Sequence, residues 1–202
     1  MTWRGRLVSS FPVLHIFLVF FFLLMMVKNL TWPNLLFFLL SLYIFPVFTF
    51  RVHNLIYPLK EGIFDLAEPR YNAWWASHMF QYLFIAFPFL ETPFHFLPGG
   101  YSFWIRCWGG KVGKHVYWTP RVEVLDRSLI SIGDYVVVGH ISTFCSHMIV
   151  SMRGRSKLFV KRITVGDSAF IGADSQMGPG AKVVEGEKLK PKTRRYWVGT
   201  WN

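Results

Sequence analysis

The sequence predicts a mainly β solenoid of six-residue repeats, preceded by a hairpin of two membrane-crossing helices and a helix lying at the membrane surface. Three observations predict it. An apolar residue recurs every six positions downstream of Gly110, often followed by Gly. Residues 7–27 hold no Asp, Glu, Lys or Arg. The formal net charge of +11 sits mainly from Tyr101 onward, where 16 Lys/Arg face 7 Asp/Glu. A basic half behind an apolar leader suits an anionic membrane surface or a phosphate-bearing ligand. Nothing resembles a nucleic-acid recognition helix or an RNA-binding aromatic signature, so nucleic acid is set aside as a partner.

The apolar leader, LVSSFPVLHIFLVFFFLLMMV, is 21 residues long. About 20 residues of helix cross a bilayer core. The stretch is too long and too rich in Phe for a signal peptide, and Lys28-Asn29-Leu30 follows instead of a small-residue cleavage site. Residues 30–50 read as a second crossing, interrupted by Trp32, Pro33 and Asn34 near its start and Pro46 near its end. Arg4 and Arg6 precede the hairpin, Lys28 lies between its arms, and Arg51, Lys60 and Arg70 follow. That bias puts both ends in the cytoplasm. The alternative is a pair of buried helices in a soluble core.

Residues 71–90 also lack formal charge, but Asn72, Ser77, His78 and Gln81 interrupt them. With Trp74, Trp75 and Tyr82 they suit an interfacial helix better than a third crossing. Pro93, Pro98, Gly99 and Gly100 then break the chain, dividing an anchor over 1–100 from a solenoid over 101–202. Cys107 and Cys145 are far apart and form no CxxC, which fits a reducing compartment.

The repeat runs Val112-Gly113, Trp118, Val124 and Ile130. It slips by two residues and resumes at Ile132-Gly133, Val138-Gly139 and Phe144. A second series is Val165-Gly166, Ile171-Gly172, Met177-Gly178 and Val183. Ala169, Ser175 and Ala181 each precede an apolar position by two and are small, as a tight corner requires. A period of six suits neither one helix nor one flat strand. Short strands joined by turns carry it, with one inward residue on each side of a three-sided coil, and eleven such positions make three to four coils.

Between the series, residues 147–161 (HMIVSMRGRSKLFVK) leave the period. They read as a basic loop bearing Arg153, Arg155 and Lys157, either a functional insertion or a surface loop whose charges only solvate it.

These residues resemble the bacterial acyltransferases of the left-handed parallel β-helix, or hexapeptide-repeat, class. VGDSAFIGADSQMGPGAKV, residues 165–183, is similar to that family's repeat. RYWVGTWN is similar to its closing segment, with Trp201 where a Pro is usual, so the family's C-terminal cap is expected to be missing. EPRYNAWW, residues 68–75, looks like a membrane-linked subgroup. The resemblance implies an acyl donor held as a thioester on coenzyme A or acyl carrier protein, with no tightly bound cofactor. It implies homotrimers with active sites between neighbouring solenoids. With the charge bias, it implies a multi-pass protein of the bacterial inner membrane with a cytoplasmic catalytic domain.

Val138-Gly139-His140 matches the family's placement of a catalytic histidine. Acyl transfer needs a base to take a proton from the attacking hydroxyl or amine, and a neutral imidazole serves near pH 7. His140 is therefore expected to be the general base, with Gly139 allowing a ligand or backbone to approach. His147 is a second candidate, as base, acceptor-orienting residue, donor contact or inert loop residue. Arg153, Arg155, Lys161 and Arg162 are candidates for donor phosphates, with Lys161 and Arg162 alternatively a charged edge facing water or anionic lipid. Cys145 is either a nucleophile activated by histidine or a small residue filling a corner. Asp134 and Asp167 are expected to make turns through their own backbone.

No metal site is expected. A zinc enzyme resembling the solenoid carbonic anhydrases would need ligands such as His115, His140 and His147, whose spacing does not resemble that family's. A non-catalytic membrane scaffold is the other alternative. The favoured acceptor is lipid-linked or strongly apolar, with membrane lipids as partners, because spans and a surface helix hold the site at the bilayer.

Overall fold

The computed structural model describes residues 2–152 and 154–197. Arg153 and the last five residues of the closing segment lie outside the described residues. The chain forms two compact units: residues 1–60 with 68–86, and residues 61–67 with 87–202. The expected boundary at 100 thus moves to 86, and a short segment, 61–67, joins the second unit.

In the first unit, α1 (Trp3–Ser9) and α2 (Phe11–Lys28) make one apolar run, and α3 (Trp32–Leu39), a π turn at Leu40–Ile44 and α4 (Phe45–Ile56) make another. Both runs, Trp3–Lys28 and Trp32–Ile56, are long and apolar enough to cross a membrane by length and composition. Thr2 caps α1 by accepting from the Gly5 amide at 3.2 Å. One bond that ties the arms inside this apolar pair is polar: His15 Nε2 lies 3.1 Å from the Ser41 carbonyl, within the π turn. A π turn shifts the backbone bonding and frees such a carbonyl for a side chain.

A third helix of this unit, α5 (Ala73–Ala86), follows the short strand β1 (Gly62–Asp65). At 14 residues α5 is about 21 Å long, too short to cross a bilayer core alone. It packs along α1, α2 and α4. Its Phe80 meets Phe11 edge-on at 4.8 Å, and Trp75 donates to Ser9 at 2.9 Å.

The second unit begins with α6 (Thr92–His95) and α7 (Gly100–Cys107) and continues as a three-faced parallel coil. Its strands are β2 (Lys111–Val112), β3 (Tyr117–Trp118), β4 (Glu123–Val124), β5 (Ile130–Ile132), β6 (Val137–Val138) and β7 (Thr143–Phe144). After a hairpin of β8 (His147–Met152) and β9 (Arg155–Val160) come β10 (Ile163–Val165), β11 (Phe170–Ile171), β12 (Gln176–Met177), β13 (Lys182–Val183) and β14 (Arg194–Arg195). The sheet orders are β13-β10-β5-β2, β11-β6-β3 and β14-β12-β7-β4, so successive strands visit the three faces in turn.

Register follows the six-residue period. Val112 pairs with Ile132, Ile132 with Val165 and Val165 with Val183, and Val124, Phe144 and Met177 stack likewise on another face. All eleven inward positions of the repeat are buried. Corners fall three residues after an inward residue, in the left-handed region: His115, Arg121, Tyr135, Ile141, Ser168, Asp174 and Lys192, with Gly180 and Gly186 completing the set. Ala169, Ser175 and Ala181 are buried between them, as are Val122 and Val136 at the same place in the coil.

Two expectations change. Residues 147–160 are not a loop but a β-hairpin, and β1 extends it as a third antiparallel strand, pairing Gly62 with Val160 and Asp65 with Lys157. Asp134 and Asp167 bond the backbone of the preceding coil, not their own turns. Asp134 accepts from the Lys114 amide at 2.6 Å, and Asp167 from the Asp134 amide at 2.8 Å. They pin one coil to the next.

Candidate active site

Among the described residues two corners of the second unit lack the left-handed residue that the others share: those following Val124 and Phe144. These residues pair across neighbouring coils, so the two irregular corners stack. In the upper coil the chain makes a 3-10 turn at Arg127–Leu129, the physical form of the two-residue slip. In the lower coil it leaves as the hairpin. The candidate site is built where these two departures meet.

Asp126 opens the 3-10 turn and is 2% exposed. Its Oδ2 accepts from the Ser146 amide at 2.8 Å and lies 2.7 Å from Nδ1 of His147, the first residue of β8. Ser146 donates its hydroxyl to the Leu129 carbonyl at 2.8 Å, fixing the segment that carries His147 against the turn that carries Asp126. A carboxylate at Nδ1 sets the ring's orientation. The His147 side chain is 16% exposed. Burial disfavours its charge, but the bonds to Asp126 and Cys145 outweigh burial, and the ring is pushed up to about 10. At neutral pH His147 is therefore the imidazolium of an ion pair.

Cys145 lies beside the same ring. Its Sγ is 3.6 Å from Nδ1 and 3.9 Å from Nε2, and the thiol donates to the His147 carbonyl at 3.2 Å. The sulfur is thus nearer the nitrogen that Asp126 engages, an arrangement that suits holding the ring better than delivering a nucleophile.

Behind Asp126 lies a second buried pair. Arg127, 2% exposed, puts Nε 2.5 Å from Oε1 of Glu91. Glu91 also accepts from Trp104 Nε1 and, at 3.4 Å, from the Tyr101 hydroxyl. Burial works against the Arg127 charge, and Glu91 more than compensates, holding the guanidinium above its ordinary range. Arg127 is adjacent in sequence to Asp126, so the turn that positions the carboxylate is anchored by this pair.

The other predicted residues are spread out. His140 is exposed at the corner before Ile141, and among the described residues its ring has no hydrogen-bond partner. Its backbone carbonyl accepts from the Asp174 amide at 2.8 Å. Gly139 admits backbone: a Cβ there would stand 2.4 Å from the Ala173 amide nitrogen of the next coil. Arg155 donates to Asp65 at 3.2 Å. Arg162 pairs with Glu61 at 3.7 Å and donates to the Ile130 carbonyl at 3.0 Å. Lys161 holds its Nζ 4.2 Å from the centre of the Trp197 ring. His115 stacks on Tyr135 at 5.0 Å, and His115, His140 and His147 do not converge as a ligand set.

No family model matches the chain, and no curated protein matches it. Among solved structures it is similar to a hexapeptide-repeat-containing acetyltransferase from Vibrio cholerae, at 15% identity and a TM-score of 0.38, over 56% of this chain and 85% of that one. A hexapeptide-repeat-containing acetyltransferase from Vibrio cholerae O1 biovar eltor, complexed with acetyl coenzyme A, is 23% identical with a TM-score of 0.32, over 41% of this chain and 52% of that one. A galactoside acetyltransferase in complex with coenzyme A is 16% identical with a TM-score of 0.32, over 55% of this chain and 74% of that one. The coil described above rests on its own strand register.

Asp126, Glu91 and Arg127 were not singled out from sequence. For Asp126 part of the signal was present: the two-residue slip read between Ile130 and Ile132, whose 3-10 turn starts just after Asp126 and stacks on the insertion after Phe144. Glu91 gives no such signal, because it lies among the apolar residues of a helical segment.

Proposed function

We propose that the second unit is an acyltransferase, held at a membrane by the helical hairpin. It moves an acyl group from a thioester of coenzyme A or acyl carrier protein to a hydroxyl or amine of a lipid-linked acceptor. The observation that carries the reading is the 2.7 Å pairing of His147 with buried Asp126 at the stacked irregular corners. In its neutral form His147 takes the acceptor's proton through Nε2 as the oxygen or nitrogen attacks the thioester carbonyl. The proton then passes to the departing sulfur, so the donor leaves as a neutral thiol. Asp126 stabilises the imidazolium that exists between these steps. His147 is preferred to His140 as the base because a buried carboxylate orients it.

The two long apolar helices support membrane attachment, and with it an acceptor that resides in the bilayer. Arg4, Arg6, Arg51, Lys60 and Arg70 against Lys28 support a multi-pass orientation with the catalytic unit in the cytoplasm, and the family resemblance supports a bacterial inner membrane. A homotrimer is supported by one face of the coil. The outward ladder Tyr117–Val137–Phe170 is apolar over three coils before it ends in Lys188, whereas the other faces present Lys111, Ser131, Thr164 and Lys182, or Glu123, Thr143, Gln176 and Arg194.

Lipid extracts from cells carrying the wild-type gene, His147→Ala or His140→Ala, compared by mass spectrometry, test the reading. A lipid-linked acylated product lost with His147→Ala and kept with His140→Ala is the expected result. A product unchanged by His147→Ala defeats His147 as the base. Products unchanged by both substitutions and by deletion of the gene leave a non-catalytic scaffold.

A further inference from the structure

The first unit carries six cations, Arg4, Arg6, Lys28, Arg51, Lys60 and Arg70, and a single acid, Glu68. Glu68 is taken by Arg70 at 3.3 Å. The contact between Arg4 and Tyr57 brings the start of α1 beside the end of α4. That end of the hairpin therefore collects the cations, while Lys28 sits at the other.

A structured cluster lies there. The Arg4 guanidinium is 5.4 Å from the Trp3 ring centre and 5.5 Å from that of Tyr57. Tyr57 meets Tyr71 edge-on at 5.1 Å, and His53 Nε2 is bonded to the Tyr71 hydroxyl at 2.5 Å. Burial, with Tyr57 adding to it and Arg4 opposing, pushes the Tyr71 hydroxyl up, so it stays a neutral phenol. Among the described residues no carboxylate pairs with Arg4. Aromatic faces favour an arginine over them and leave its N–H edge for an anion. A guanidinium edge matches two phosphate oxygens at once, as an ammonium does not.

We propose that Arg4, seated on Trp3 and Tyr57 beside the His53–Tyr71 pair, is a binding site for the headgroup phosphate of an anionic phospholipid. The proposal rests on the membrane reading of the hairpin and adds to it a defined site. Location decides the occupant: a fixed guanidinium at the end of a pair of bilayer-length apolar helices meets the headgroup layer, where anionic lipid is concentrated. A diffuse basic surface would attract the same lipid without preferring one cation to another. Arg4 is held by two aromatic rings, which sets its guanidinium at a defined place, and that makes the two cases separable.

The full chain in mild detergent, with phosphatidylglycerol titrated in and retained lipid counted by native mass spectrometry, provides the test. Arg4→Gln and Tyr57→Leu should each weaken retention about tenfold or more, while Arg6→Gln, which removes the same charge nearby, should change it by less than about threefold. Phosphatidylcholine should be retained weakly by all of them. Equal losses for Arg4→Gln and Arg6→Gln, or no loss for Arg4→Gln, overturn the proposal. A soluble short-chain phosphatidylglycerol tests the site even if carbonate washing strips the protein from membranes, an outcome that would defeat the membrane reading alone. Displacement of the lipid by millimolar glycerol phosphate would show a general phosphate site and overturn the lipid assignment.

Discussion

His147 Nδ1 and Asp126 Oδ2 stand 2.7 Å apart although 21 residues separate them, because each lies just past an inward residue at the same corner of adjacent coils. The two departures from the regular coil, the 3-10 turn that Asp126 opens and the hairpin that His147 opens, bring the two side chains together.

Asp126→Asn keeps the shape of the acceptor for the Ser146 amide and removes the charge. His147 should then titrate closer to its ordinary value of 6.5, followed by NMR of its ring protons. Acyl transfer should fall by about 10²–10⁴-fold, the usual contribution of a positioned base. Retention of full rate together with an unchanged titration would exclude Asp126 from the mechanism.

The raised pKa of His147 fixes the sign of two pH effects. Base catalysis needs the neutral ring, so the rate should climb from neutral pH toward about 10 and then level. Stability should run the other way. A histidine whose folded pKa exceeds its unfolded value contributes stability fully below about 6.5 and loses it as pH rises through about 10. Chemical unfolding of wild type and His147→Gln across that window should show the difference between them shrinking as pH rises.

The buried pair behind the site predicts an asymmetric stability result. Glu91→Ala strands the Arg127 charge among Trp104, Tyr101 and the coil, and breaking a buried pair from one side costs about 3–5 kcal/mol. Replacing both partners by Met removes the stranded charge and should cost much less. Thermal melts of the full chain in detergent distinguish these results; equal melting temperatures for the two variants would show that Arg127 finds water when Glu91 is gone.

The solenoid was legible because its signal is local and repeated: an inward residue every six positions, Gly or a small residue near it, and burial at every named site. The hairpin was less legible. Ile149, Val150, Leu158 and Phe159 do not alternate cleanly, and the residues of the partner strand β1 lie 92 to 98 positions upstream of those they pair with. His147 was visible by residue type, but its partner could be found only by superposing one coil on the next. Gly139 shows the converse: its missing side chain signals a close approach, and what approaches is the backbone of the following coil.

Gly139→Ala should therefore act on stability. Its Cβ would meet backbone atoms of Ala173, Gly172 and Ile171, none of which can swing aside, so the coils must part. Overpacking of this kind costs about 1–3 kcal/mol, read as a lower unfolding midpoint at unchanged active-site titration.

The apolar ladder on the β3–β6–β11 face gives the last prediction. Tyr117 is 61% exposed and Phe170 is 41% exposed, with Val137 between them in register. Three outward apolar residues stacked above Lys188, on a coil whose other faces are polar throughout, form a patch that water covers at a cost, and a patch of this kind marks an association surface. If like faces meet around a threefold axis, a charge at the centre of the ladder is repeated three times within one interface and cannot be neutralised there. Val137→Lys should then convert the assembly to monomers, while Ser131→Lys on a polar face should leave it intact. Sedimentation in detergent, with the detergent contribution matched out, measures both. A wild-type chain that sediments as a monomer would remove the ladder from the assembly and leave it as a surface for some other partner.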